Sequence, residues 1–156
     1  MAGPENVWTN PYSTPSPRYR HAMAYDAQSD RVIVFGGNAV PLDAETWSYN
    51  FNTQTWGNKN PPSAPTPRFG HAMAYDSQSD RIILFGGNTG AVSAATWAYD
   101  FESNTWQNMN PPSSPSGRFG HAMAYDSQSD RIILFGGNTG AVSNETWAYD
   151  FESNTW

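Results

Sequence analysis

The chain has 156 residues, of which 14% are charged, with a net charge of −6 and no cysteine. That balance excludes a uniformly basic surface for nucleic acid, and the missing cysteines exclude disulfides, thiol catalysis and cysteine-based zinc sites. No long apolar run or charged-then-apolar leader is present, so the expectation is a soluble protein with no membrane contact and an undetermined location.

Aromatic residues make up 15% of the chain, and 13 Gly and 12 Pro punctuate it. Such composition favours short strands over helices. The elements repeat with a period of 50 residues, which the starts of three HAMAYD segments at His21, His71 and His121 make plain. Residues 57–106 and 107–156 differ at seven positions (57, 59, 64, 66, 67, 94 and 95). The first copy is more diverged. Near-identity of this kind points to recent duplication or to deliberate design, and the sequence leaves both origins open.

In chain order, Asn6-Val7-Trp8 echoes Asn104-Thr105-Trp106, so the chain opens inside an outer strand. Each repeat then reads alike, and the second copy serves to describe it. Segment 71–76 alternates His71, Met73 and Tyr75 with Ala72, Ala74 and Asp76, a strand period of two. A polar hairpin turn leads to Arg81-Ile-Ile-Leu-Phe85, a β-branched and apolar run that fits a strand covered on both faces. Gly86-Gly87 ends it where a sharp exit or close backbone approach excludes a side chain. A longer loop, a third strand at Thr96-Trp-Ala-Tyr-Asp100, a turn and a fourth strand around Trp106 complete the unit. No segment carries a sustained helical period. The expectation is an all-β protein of three four-stranded antiparallel units, spanning about 7–56, 57–106 and 107–156.

One small sheet with two apolar faces cannot bury both by itself, whereas stacking sheets around an axis buries each against a neighbour. The apolar run ending in double glycine, a Tyr six residues before a Trp, and a preceding Pro-Arg resemble the kelch repeat of β-propellers. The residues carrying this resemblance are Gly36, Gly37, Tyr49 and Trp56, then Gly86, Gly87, Tyr99 and Trp106, then Gly136, Gly137, Tyr149 and Trp156. Gly117 departs from the pattern set by Pro17 and Pro67. Propellers carry about four to eight blades. Three are too few to close a ring, and two copies would supply six. The reading is therefore a half-propeller, designed or truncated, that closes a six-bladed ring as a homodimer, with residues 5–9 as an intermolecular closing strand.

On a four-stranded antiparallel blade the hairpins reach one rim and the longer loops the other. Most acids, including Asp26, Asp30, Asp76, Asp80, Asp126 and Asp130, fall on the hairpin rim with Arg31, Arg81 and Arg131. Arg18, Arg20, Lys59, Arg68 and Arg118 fall on the loop rim. What the kelch resemblance implies about ligand contacts is a set just after Pro-Arg and just after the double glycine. Here those residues are Tyr19, Arg20, Phe69 and Phe119, with Asn38, Asn88 and Asn138. Such a mouth suits an acidic peptide or a carbohydrate. The plainer alternative is that the amides shape the loop and the aromatics cap the core.

The three histidines could ring a metal, but no carboxylate or cysteine stands at ligand spacing, so the reading is an inner-strand histidine hydrogen-bonded between blades. Arg18, Arg68 and Arg118 read as ligands of backbone carbonyls or Asp side chains. Asp26–Arg31, Asp76–Arg81 and Asp126–Arg131 read as cross-strand pairs. Asn144-Glu145-Thr146 is a lone glycosylation sequon, a weak signal without a leader. Some proteins similar to kelch are copper oxidases with a Tyr–Cys cofactor, which a chain without Cys cannot form. Repetition also offers no singular nucleophile, base and orienting group, so no catalytic site, metal or cofactor is expected.

Overall fold

A computed structural model of the chain describes residues 14–39 and 41–156. The Asn6–Trp8 echo and the closing-strand segment 5–9 lie outside the described residues. Eleven strands follow in order: β1 Ala22–Asp26, β2 Arg31–Phe35, β3 Thr46–Asn50, β4 Thr55–Asn58, β5 Ala72–Asp76, β6 Arg81–Phe85, β7 Thr96–Asp100, β8 Thr105–Asn108, β9 Ala122–Asp126, β10 Arg131–Phe135 and β11 Thr146–Tyr149. They form three antiparallel meanders, β1–β4, β5–β8 and β9–β11.

The third meander departs from the four-strand expectation. In the first two, the third and fourth strands pair over four residues, down to Trp47↔Asn58 and Trp97↔Asn108. In the third, the outer segment makes a single bridge, Asp150↔Thr155.

Local chemistry explains the turns. In each first hairpin the Asp at the end of the inner strand accepts backbone N–H bonds from the turn, as Asp26 Oδ1 does from Gln28 and Ser29 at 3.0 Å each. Asp30, Asp80 and Asp130 adopt φ of 54–56°, a conformation that Asn and Asp tolerate best among residues with a Cβ. The Tyr25, Tyr75 and Tyr125 hydroxyls donate to these same carboxylates at 2.9 Å.

The cross-strand pairing of Asp26 with Arg31 is correct in register but not in chemistry. The Asp carboxylate is used by the turn, and in the second and third blades the arginine pairs instead with the strand on its other side. Arg81 meets Asp100 at 3.1 Å and Arg131 meets Asp150 at 2.9 Å. The first blade has Asn50 at that place.

The core lies between blades. Ile82 and Leu84 of β6 pack with Ile33 and Phe35 of the first blade, while Ile83 packs with Ile132 and Tyr149 of the third. The apolar run is thus covered on both faces, as its composition predicts. One Trp per seam locks the blades together. Trp106 stacks on Tyr99 of its own blade at 4.9 Å and on Phe35 of the preceding one at 5.0 Å, and its indole N–H donates to Thr46 Oγ1 at 2.9 Å. Trp156 repeats this with Tyr149, Phe85 and Thr96. Asn104 and Asn154 add bonds from their side-chain amides to the Lys59 and Met109 carbonyls across the same seams.

Candidate functional site at the loop rim

The Pro-Arg segment of each repeat brings the chain back to the inner strand, and the buried arginine fixes that return. Arg68, 2% exposed, donates from Nη1 to the Gly86 carbonyl at 2.8 Å and from Nε to the Thr66 carbonyl at 3.1 Å. Arg118 does the same to Gly136 and Ser116, and Arg18 to Gly36 and Ser16. The reading of these arginines as carbonyl ligands is correct. Two of them also hold acids. Arg18 pairs with Asp43 at 3.0 Å and Glu45 at 2.8 Å, and Arg118 pairs with Glu145. In the second repeat Ala95 stands where the others have glutamate, and burial pulls the Arg68 pKa down to about 10.

The residues singled out after Pro-Arg and after double glycine do come together. Tyr19↔Asn38, Phe69↔Asn88 and Phe119↔Asn138 form isolated antiparallel bridges. Asn38 also donates from Nδ2 to the Tyr19 hydroxyl at 2.6 Å. Asn88 and Asn138 accept the Gly90 and Gly140 N–H at 2.8 Å, so their carbonyls shape the loops. The Arg20 guanidinium lies 5.7 Å from the Tyr19 ring centroid and 5.6 Å from that of Phe69, spanning two blades.

A backbone chain at this rim is not evident from side-chain motifs. Gly70 N–H donates to the Arg20 carbonyl at 2.8 Å, and Gly120 N–H to the Gly70 carbonyl at 2.7 Å. All three residues sit at φ of 57–68°, which glycine adopts freely and arginine does not. The one available signal is Gly at 70 and 120 before each His. Together with the three histidines and Phe119, these residues line a cavity of about 310 Å³ at the inner end of the blades.

The histidines correct an expectation. They sit between blades, with Phe35 edge-on to His71 at 5.6 Å and Phe85 edge-on to His121 at 5.7 Å. Neither ring nitrogen of His71 or His121 has a hydrogen-bond partner among the described residues. The backbone of Phe35 beside His71, and of Phe85 beside His121, favours the charged ring weakly without reaching hydrogen-bond geometry. Burial, with a buried arginine nearby, lowers the pKa of His71 to about 3 and that of His121 to about 4. Both imidazoles are neutral at pH 7. Among the described residues no group of three His, Asp or Glu is placed to hold a metal ion.

On the opposite rim Lys59 is also corrected. Its backbone follows β4, but its ammonium lies 3.9 Å from the Phe101 ring centroid, in a cavity shared with Asp26, Asp80 and Glu102. It belongs to the hairpin face.

Two outcomes test this account. Ala95→Glu supplies Arg68 with the acid its neighbours have, and should stabilise the fold by about 0.5–1.5 kcal/mol in urea unfolding. The histidines bind fewer protons folded than unfolded between pH 6.5 and their lowered values. Stability is therefore fully present above pH 6.5 and falls on acidification. Between pH 7 and pH 5, where carboxylates stay ionised in both states, the loss should be about 3–4 kcal/mol for the pair. His71→Gln should remove about half of that slope, read from urea midpoints across the range.

The comparisons agree with this architecture. Residues 5–156 match the family model described as the KLHDC2/KLHL20/DRC7 Kelch-repeats domain. No curated protein matches the chain. No helix among the described residues is long and apolar enough to cross a membrane. With the match running over nearly its whole length and three blade-like sheets stacked through Tyr–Trp seams, the chain belongs to the kelch-repeat family.

Proposed function

We propose that the chain is a non-catalytic kelch scaffold that closes a six-bladed ring with a second copy of itself. Kelch domains generally mediate protein–protein interactions, and here the first partner is the chain's own copy. The observation that carries this reading is Phe135. It is 56% exposed, whereas its repeats Phe35 and Phe85 are fully buried at the two interior seams. Thr146 is likewise exposed where Thr46 and Thr96 are buried acceptors of a Trp indole. At the other end of the arc, Met23 is 50% exposed where Met73 is 6% exposed.

These two faces are the halves of a seam that the molecule makes twice within itself. The glycines mark the same contrast. A Cβ on Gly36 or Gly86 would meet the arginine carbonyl of the following blade at 2.7 or 2.5 Å, while one on Gly136 would meet only its own loop, at 3.4 Å. A second copy would set its first blade against that space, with Arg20 of the partner subunit continuing the backbone chain beyond Gly120. Light scattering after size exclusion should give twice the 17.2 kDa chain mass. A folded monomer at micromolar concentration would refute the ring. Phe135→Arg should cost about 2 kcal/mol at each seam and shift the protein to monomer.

A second reading, recognition of an acidic peptide or glycan at the loop-rim mouth, has one specific support. Arg20 keeps φ at 57° where the other repeats use glycine, an arrangement that costs about 1 kcal/mol. The contributing side chains are Tyr19, Arg20, Asn38, Phe69, Asn88, Phe119 and Asn138. Arg20→Gly should raise stability by up to about 1 kcal/mol. The same change should abolish capture on acidic-peptide and glycan arrays. Unchanged capture by the variant would remove Arg20 from the site.

A further inference from the structure

We propose that the hairpin-rim cleft between the second and third blades is a seat for an ammonium group, brought by a lysine side chain of a partner or by a free alkylamine. The cleft lies within one chain, so it stands apart from the six-bladed ring. Asp76, Gln78 and Ser79 of the second blade, with Asp130, Phe151 and Glu152 of the third, line a cavity of about 490 Å³. Three of these residues are carboxylates, and no lysine or arginine is among them.

The molecule contains the same cleft a second time, and there it holds a cation of its own. Between the first and second blades the matching residues are Asp26, Gln28 and Ser29 with Asp80, Phe101 and Glu102. Lys59 completes that set, its ammonium 3.9 Å from the Phe101 ring centroid. At this distance the ring face attracts the cation, and the carboxylates around it add negative potential. One repeat later, Met109 stands at the position of Lys59. It carries no charge and packs, as Tyr125 and Trp156 do, against the apolar core of its seam. The second cleft therefore has the aromatic face and all three acids but no cation of its own.

A further observation does not depend on charge. In the first and third blades the Ser29 and Ser129 hydroxyls donate to Asp26 and Asp126 Oδ2 at 2.7 Å. Ser79, which lines the second cleft, makes no such bond, and its hydroxyl oxygen is buried with no partner among the described residues. Asp76 uses Oδ1 for the Gln78 and Ser79 N–H groups, and Asp130 uses Oδ1 for the Tyr125 hydroxyl. Each keeps Oδ2 to accept from a ligand. An ammonium brings three donors and no acceptor, so these oxygens are of the kind it needs, while the Phe151 face suits its charge.

The test exchanges the residue types at 59 and 109. Nα-acetyl-lysine methylamide is titrated into the protein while NMR follows the Phe151 and Phe101 ring protons, assigned with Phe151→Leu and Phe101→Leu. The uncharged control is Nα-acetyl-norleucine methylamide. The expected result is a saturable shift at Phe151 with a dissociation constant of about 1–10 mM, and none from the norleucine compound. Met109→Lys supplies an internal ammonium and should weaken the probe by about tenfold or more. Lys59→Met should make Phe101 respond over the same range as Phe151. An equal response to the norleucine compound, or a Met109→Lys protein that binds as the parent does, overturns the ammonium seat. Lys59→Met brings no new charge into a seam, so a silent Phe101 in that variant overturns it even where Met109→Lys fails to fold. n-Butylammonium separates the two sources. Tighter binding of the lysine derivative assigns the seat to a partner's lysine, and equal or weaker binding assigns it to a free amine.

Discussion

The seam between blades is the interaction on which the rest of the structure depends. A four-stranded meander of this size has a middle strand that is apolar on both sides, so it gains stability only when another sheet covers each face. β6 meets that condition: Ile82 and Leu84 face one neighbour, and Ile83 faces the other. Burial alone would allow the sheets to slide. The Trp indole prevents this, because it must stack on Tyr99 and Phe35 while its N–H reaches Thr46 Oγ1. A buried indole N–H without a partner costs about 1–3 kcal/mol, so one orientation of the two sheets is strongly preferred.

At the inner end of each seam, the polar groups obey a stricter accounting. A buried guanidinium is tolerable when carbonyls and a carboxylate meet its N–H groups. Arg118 has both, and Arg68 has carbonyls alone. The double glycine makes this possible by letting the backbone of one blade approach the arginine carbonyl of the next, as Gly37 N–H does to Arg68 at 2.9 Å. The positive charge then acts on the imidazole beside it. Desolvation and the nearby arginine both favour the uncharged ring, and the backbone of Phe35 or Phe85 offsets them only in part. The inner wall is built around fixed positive charge and neutral histidine, which makes its stability sensitive to acid well before the carboxylates titrate.

Much of this was legible in the sequence because repetition amplifies weak local signals. The strand sequence and the double-glycine exits follow from period and turn chemistry, whereas the aromatics after Pro-Arg and the asparagines after Gly-Gly were singled out by the kelch resemblance, and their pairing is seen only in the structure. Several features depend on what lies across a seam, and one repeat read alone does not contain that information. Asp26 stands opposite Arg31, yet the turn amides compete for its carboxylate more closely than the arginine does. Lys59 follows an outer strand whose end lies on the loop side, yet its long side chain finds the Phe101 face of the next blade. The Thr acceptors of the seam precede a Trp in every repeat, but only the third dimension shows that the Trp they serve lies 60 residues away.

The two ends of the arc differ from each other, and that difference governs what assembly can follow. The leading face offers Met23 and Tyr25, and the trailing face offers Phe135 and Thr146, so a seam joins unlike surfaces. Unlike surfaces generate either closed rings or open chains. Under the proposed pairing, two copies joined at one seam hold their remaining faces at an effective concentration that reaches the millimolar range for tethered partners. A third copy must compete from bulk solution at its own, lower concentration and must also lose its free translation and rotation. Ring closure therefore outruns chain growth whenever the geometry of six blades is unstrained. The two seams made within the chain share the same Trp stack and the same indole bond length of 2.9 Å, so each blade is set against the last in the same way.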